Sequence, residues 1–332
     1  MKLRNLGKNG PEISALGIGA MSFSEFYGPT TENNSYAILR AAADAGVTHI
    51  DSANVYGMGR SEKAIGQFLR ENPGTRDRFH IATKATITSD ADGNRCFDNS
   101  LEHLESELDK SLEKLGVDSV DLFYVHRRQA DMPIEDVAGN LAILQRKGKT
   151  RGIGFSEIAP TSLRRAATEC HIDAVQSEYS LSVRAPELGL LQTTAELGTA
   201  FVAFSPVGRS FLTDDPITFN HASSLPWMNA NPRFLEPNYS ANIAATDPLR
   251  RYAAELGLPA AALAIAWVLA QGEHIIAIPG TRSTGHFAEL VTGGNLDLTE
   301  EQLDRIETIL PVGWAHGDRY GIDQWVGPER YC

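Results

Sequence analysis

Ser119-Val120-Asp121-Leu122-Phe123-Tyr124-Val125-His126 is the stretch on which the fold turns. Its centre, Leu122 to Val125, is continuously apolar, as expected of a strand covered by protein on both faces of a parallel sheet, and the run stops on an imidazole. Upstream, residues 101–115 carry helical periodicity. Working outward, the same helix-then-strand unit recurs: residues 31–45 precede 47–52, 61–71 precede 79–84, 134–147 precede 152–156, 161–168 precede 174–179, 185–197 precede 200–205, and 259–271 precede 275–279. Seven strands read in this way, and residues 17–21 supply a candidate eighth, so the expected architecture is an α/β fold, a closed TIM (β/α)8 barrel. The competing design, an open doubly wound sheet that binds a nucleotide, opens on a Gly-rich strand-to-helix turn. Gly17-Ile18-Gly19-Ala20-Met21 lacks the third glycine of that turn.

Residues 1–19 contain two short segments, 2–6 and 12–16, joined by the turn-rich Gly7-Lys8-Asn9-Gly10-Pro11, which predicts a β-hairpin cap. Three long segments break the rhythm: 85–99, 207–246 and the tail 311–332. Long excursions in a barrel build or cover a site, so all three are candidate lids on the C-terminal face, and the whole of 1–332 reads as one domain.

Composition narrows the function. The chain has 332 residues, 42% hydrophobic and 22% charged, with a net charge of −12, which is globular and carries no basic stripe that could track a phosphate backbone. Nucleic acid and membrane surfaces are not the expected partners. Cys96, Cys170 and Cys332 are odd in number and far apart, fitting neither a disulfide framework nor a zinc site. No metal is expected. Lys8, Pro11 and Glu12 interrupt any apolar run at the N-terminus, so no signal peptide is read and the expected location is cytoplasmic. Residues 260–270 are the most apolar stretch, too short to cross a bilayer. Oligomeric state is not legible.

Barrel active sites lie at the C-terminal ends of the strands. Asp51, Lys84 and His126 each close a strand, on three consecutive strands, and Tyr56 follows Asp51 by five residues. Singly, each has a plain structural role: a helix cap, a solvated strand end, a core histidine, a loop aromatic. Together they form a set for reducing a carbonyl, in which negative charge develops on oxygen and a proton donor must wait there. A free tyrosine, with a pKa of about 10, gives up its proton reluctantly. An ammonium at about 4 Å favours the phenolate by up to roughly 4 kcal/mol at an effective dielectric of about 20. Asp51 would hold Lys84 protonated while cancelling part of its field, so a net downward shift on Tyr56 is expected. His126 would donate to the substrate oxygen.

Asp51-Ser52-Ala53-Asn54-Val55-Tyr56-Gly57, Ile81-Ala82-Thr83-Lys84 and Leu122-Phe123-Tyr124-Val125-His126-Arg127 resemble the catalytic signatures of the aldo-keto reductases. Leu16-Gly17-Ile18-Gly19-Ala20-Met21 and Ser24-Glu25-Phe26-Tyr27-Gly28-Pro29 resemble its bacterial and fungal, pyridoxal reductase-like branch. The resemblance implies an NADP-dependent oxidoreductase acting on an aldehyde, ketone or alcohol, with Asp51, Tyr56, Lys84 and His126 catalytic. It places Gly19, Met21 and Asp51 at the cofactor, Ser156 and Gln176 on the nicotinamide carboxamide, Phe204 stacked on the ring, and Ser205, Pro206, Val207, Gly208 and Arg209 along the pyrophosphate. Gly280, Thr281, Arg282, His286 and Glu289 fall at the adenosine end. Many members carry asparagine at Glu157, arginine at His286 and asparagine at Leu290. NADPH is therefore the expected cofactor, with NADH the alternative. Other readings of the chain are alcohol oxidation by the same site, a cofactor-sensing subunit with little turnover, and a barrel hydrolase, which would need paired carboxylates or a metal cluster at the rim. Substrate choice belongs to the long loops and to Trp314, His316, Tyr320 and Trp325 of the tail, whose aromatics suggest an apolar or ring-containing carbonyl compound.

Overall fold

The computed structural model describes residues 1–331; the end of the tail and the third cysteine, Cys332, lie outside the described residues. Eight parallel strands form one sheet in the order of the chain: β1 (Gly17–Gly19), β2 (His49–Asp51), β3 (His80–Ala85), β4 (Val120–Val125), β5 (Thr150–Ser156), β6 (Ala174–Glu178), β7 (Ala200–Phe204) and β8 (Ile275–Ile278). The sheet closes on itself where Leu16 pairs with Ala277 and the Gly19 amide donates to the Pro279 carbonyl at 2.9 Å. That seam needs glycine, because a Cβ on Gly19 would lie 2.6 Å from the Ile278 carbonyl oxygen and one on Gly280 would lie 2.7 Å from that of Gly19.

Two apolar layers hold the barrel. Leu122, Tyr124, Val202, Ile276 and Ile278 fill the inside, with Leu6 and Ile13 plugging its floor. Alternate residues, such as Phe123, Val125 and Phe201, point outward into the layer beneath the helices. Leu6 follows the strand Leu3–Asn5 and Ile13 is the centre of Glu12–Ser14 in the N-terminal hairpin, so the expected cap is a stopper. It ends at residue 14, not 19, since residues 17–19 are already the first barrel strand. Local signals set the helices. Helix α1 (Glu32–Ala45) starts where the Thr31 side chain accepts the Asn34 amide, and ends on Gly46 at a φ of 73°. Residues 185–197 are not one helix as expected: Gly189, at a φ of 118°, divides a 3-10 turn from Leu190–Leu197. Ala260–Ala270 is apolar all round and buried from Ala260 to Leu269, as a helix must be when it lies between strands and other helices. No single helix among the described residues is long and apolar enough to cross a membrane; the bent pair Asn238–Glu255 and Ala260–Ala270 meets that test only together.

The three long segments are folded. Residues 87–97 form a small hairpin, Ile87–Ser89 against Arg95–Phe97. The 207–246 segment is not a plain loop: it holds short helices and the first half of Asn238–Glu255 around its own core of Phe211, Ala222, Met228 and Phe234. The tail crosses the C-terminal face, where the Trp314 indole donates to the Leu181 carbonyl at 2.7 Å and the Glu329 amide to the Glu157 carbonyl at 2.8 Å.

Candidate active site

The β2–β3 ladder continues past the strand ends, with the Asn54 amide bonded to the Lys84 carbonyl at 3.0 Å. Beyond it Gly57, Met58 and Gly59 take positive φ and turn the chain into Arg60–Glu71, which swings Tyr56 back over the barrel mouth. Lys84 is fully buried beneath it. Its ammonium donates to the Asp51 carboxylate, to the Ser52 carbonyl at 2.7 Å and to the Tyr56 hydroxyl at 3.5 Å, which uses its three protons. The second Asp51 oxygen accepts from the Gln176 amide at 2.8 Å. His126, after β4, sets its ring edge-on to that of Tyr56 at 5.9 Å between centroids, and its buried Nδ1 has no partner. The four rim residues come together as the strand ends predict.

The acid–base state of Tyr56 differs from expectation. Burial raises the pKa of the phenol, Lys84 lowers it and Asp51 raises it again, and the net direction is upward. The ammonium is too nearly neutralised by its carboxylate to overcome desolvation. Lys84 also sits above the ordinary lysine value: burial works against its charge, but Asp51 and Tyr56 outweigh it. Burial, reinforced by the Arg127, Lys84 and Arg95 cations, holds His126 well below the ordinary histidine value. Near neutral pH the site therefore presents a neutral phenol, a charged lysine and a neutral imidazole.

A cavity of about 1050 Å³ opens from this rim, larger than a single small ligand requires. Gly19, Met21, Asp51, Tyr56, His126, Ser156, Gln176, Phe204, Ser205, Pro206, Val207, Arg209, Gly280, Thr281, Arg282, His286 and Glu289 all line it. Two predicted residues do not. Lys84 lies behind Tyr56, and Gly208 is buried in the turn that follows β7. Arg209 lines the wall, but its side chain turns to Glu178 at 2.8 Å and sits 4.9 Å from the Tyr320 ring and 5.3 Å from the Trp227 ring. At the far end, Ser283 caps Thr284–Asn295 by accepting the His286 amide, and Arg282 donates to the Pro29 carbonyl at 2.8 Å. This stretch fits a dinucleotide: a helix N-terminus and a guanidinium for phosphate at one end, Phe204, Ser156 and an unpartnered imidazole at the other.

Glu157, at a position where the resemblance leads to an expectation of asparagine, does not reach the cavity. It is 3% exposed, absent from the cavity wall, and paired with Arg319 of the tail. Arg319 also reaches Glu178 at 3.1 Å, so Glu157, Arg319, Glu178 and Arg209 form one buried chain of alternating charge that ties the tail to the segment after β7. Of the tail residues singled out, Tyr320 lines the cavity. Trp314 faces Leu181, the His316 amide bonds Asn242, and Trp325 stacks against Arg319 and Arg330.

The sequence reading missed two features. Phe26 and Tyr27 meet Trp227 at 4.9 and 5.3 Å between centroids, and the Trp227 indole donates to the Phe26 carbonyl at 3.1 Å, joining the segment after β1 to the lid above the cavity. Residues 26 and 227 are too far apart for a local pattern to connect them. Arg127 and Arg95 also line the wall; the position of Arg127 next to His126 was the available signal. Among the described residues, no three His, Cys, Asp or Glu side chains group to hold a metal ion.

Comparison with known proteins gives a consistent result. The model of the Aldo/keto reductase family matches residues 15–311. A curated NADP(+) aldo-keto reductase of Schizosaccharomyces pombe is 32% identical over 312 residues, covering 93% of this chain and 92% of its own. A probable aldo-keto reductase of Glycine max is 34% identical over 323 residues, covering 96% and 92%. Among solved structures, a glycerol dehydrogenase of Gluconobacter oxydans superposes with a TM-score of 0.80 at 26% identity, over 93% of this chain and 94% of its own.

Proposed function

The chain belongs to the aldo/keto reductase family, and on that footing we propose that it reduces an aldehyde or ketone with NADPH, Tyr56 giving the proton. The observation that carries this reading is the Lys84 ammonium, fully buried, anchored on Asp51 and 3.5 Å from the Tyr56 hydroxyl. Gly19, Met21, Ser156, Gln176, Phe204 and the Ser205–Arg209 turn would hold a reduced nicotinamide dinucleotide, whose chemistry when bound would be hydride donation to the carbonyl carbon. Tyr56 holds its proton where charge grows on the carbonyl oxygen, and its raised pKa keeps that proton in place at neutral pH. As the proton leaves Oη, the nearby ammonium stabilises the phenolate that forms. Neutral His126 directs its remaining N–H at the same oxygen. Arg282 and the Ser283 helix start support NADPH, while exposed His286 offers the 2′-phosphate less than an arginine would.

Replacing Tyr56 by Phe tests the assignment. Cofactor binding, followed by fluorescence titration, is expected to persist, while kcat for carbonyl reduction falls by about 10²–10⁴ or more; equal turnover by both forms sinks the acid role. A second reading, oxidation of an alcohol by the same groups run backwards, is favoured by the likeness to a protein named as a glycerol dehydrogenase.

A further inference from the structure

The charges along the cavity wall are distributed unevenly. Asp214, Asp215 and Glu289 line the portion built by the lid and by the helix after β8. At the catalytic rim the one lining carboxylate, Asp51, is consumed by Lys84 and Gln176. Two guanidiniums remain there. Arg127 is 9% exposed; its Nη1 donates to the His126 carbonyl at 2.6 Å and to Ser156 Oγ at 3.1 Å, and its buried Nε has no partner. Arg95, exposed on the hairpin after β3, lies over the face of Phe97, 5.2 Å from the ring centroid, with Tyr320 nearby. Neither arginine forms an ion pair among the described residues, and the nearby carboxylates Glu157 and Glu178 are taken by Arg319 and Arg209.

A guanidinium stays charged at any working pH, and a buried charge is ordinarily paired. Arg127 is such a buried charge; Arg95 is exposed but lines the same wall, and a Cβ on Gly327 would lie 2.6 Å from Phe97, on which Arg95 stacks, and 3.2 Å from Arg127 Cδ, so the two cations share one region. The missing counter-charge of Arg127 is not expected to come from the dinucleotide phosphates, which the Ser205–Arg209 turn and the Ser283 helix start would hold. β3 and β7 stand four places apart in a ring of eight strands, on opposite sides of the mouth.

Resting on the carbonyl-reductase reading, we infer that Arg95 and Arg127 form an anion subsite beside Tyr56 and His126, and that the substrate is a carbonyl compound bearing a carboxylate or phosphate. Arg127 offers the inner contact and Arg95 the outer one, with Tyr320 completing the wall. This refines the expectation of an apolar or ring-containing substrate: the aromatic walls take the body of the molecule and the arginines take its charge.

The test compares 2-, 3- and 4-carboxybenzaldehyde, each with its own methyl ester, which keeps the ring and the carbonyl but removes the charge. At least one acid is expected to exceed its ester in kcat/KM by roughly tenfold or more, mainly through a lower KM. Arg95→Met, on an exposed hairpin, is expected to shrink that ratio by roughly tenfold, and Arg127→Met to shrink it further. Glyceraldehyde 3-phosphate against glyceraldehyde separates phosphate from carboxylate as the preferred anion; a preference for either supports the subsite. Neutral compounds reduced as well as their charged counterparts, or an acid-to-ester ratio that Arg95→Met leaves unchanged, would overturn it. Benzoate against benzamide, followed by tryptophan fluorescence, reads the subsite without turnover. Benzoate binding that depends on Arg95, with no carbonyl reduced, would break the enzyme reading and spare the subsite; reduction of esters alone would do the reverse.

Discussion

The two ends of the cavity are built on different principles. At the catalytic end, Lys84 is fully buried, Asp51 is 1% exposed, and the polar atoms of both are bonded within the protein. At the end proposed for the adenosine moiety His286 is exposed and Arg282 reaches only a backbone carbonyl. Groups that must act on a reacting bond are fixed before any ligand arrives, because reorganisation there would raise the barrier directly. Groups that only add affinity can stay in water, where each contributes little and can be exchanged freely.

Removing Lys84 should break the preorganised end outright. Lys84→Met is expected to lower kcat by about 10²–10⁴, with a pH signature of definite sign. The ammonium is what opposes the upward push of burial on Tyr56, so its loss raises the phenol pKa further. Alcohol oxidation needs the phenolate and accelerates as pH rises through that pKa, so its rising limb should move to more alkaline pH; a profile that merely scales down would show that the two groups are not coupled. His126, held well below the ordinary histidine value, should add no limb near pH 6.5 in the wild type.

An intermediate effect is expected where the tail meets the barrel. Arg319→Leu leaves buried Glu157 without its cation, and should destabilise the fold by about 3–5 kcal/mol in urea unfolding. Adding Glu157→Gln should recover a large part of that loss; a double variant no more stable than the single one would show that the pair is not the cause. The smallest change belongs to the exposed end. His286→Arg should shift the ratio of NADPH to NADH dissociation constants by about three- to tenfold, and an unmoved ratio would mean that the 2′-phosphate lies elsewhere.

The same contrast explains what could be read in advance. Strand ends are local: an apolar run such as Leu122–Val125 has to stop at the rim, and the ionisable residue that stops it is visible in the chain, so Asp51, Lys84 and His126 were legible. The glycines that close the seam were visible too, though not the reason for them. The pairing of Glu157 with Arg319 was not, because it joins residues 162 apart and no periodicity links them. Nor was the roof made by Trp227 over Phe26 and Tyr27. The direction of the Tyr56 shift went the other way because Coulomb's law can be applied to a proposed pair, whereas desolvation depends on everything that surrounds it. Residues 207–246 read as a loop since their helices are short and their core is private.

The alternating chain Glu157–Arg319–Glu178–Arg209 limits how this scaffold can be re-engineered. In a barrel of this kind the C-terminal segment is an obvious cassette to exchange when a new substrate is wanted. Here the cassette also delivers a cation to two carboxylates sealed inside the receiving frame. A transplanted segment with an ideal binding surface but no arginine at that point would leave Glu157 without its counterion and Glu178 with Arg209 alone, and the chimera would fail in its foundations before its selectivity could be measured.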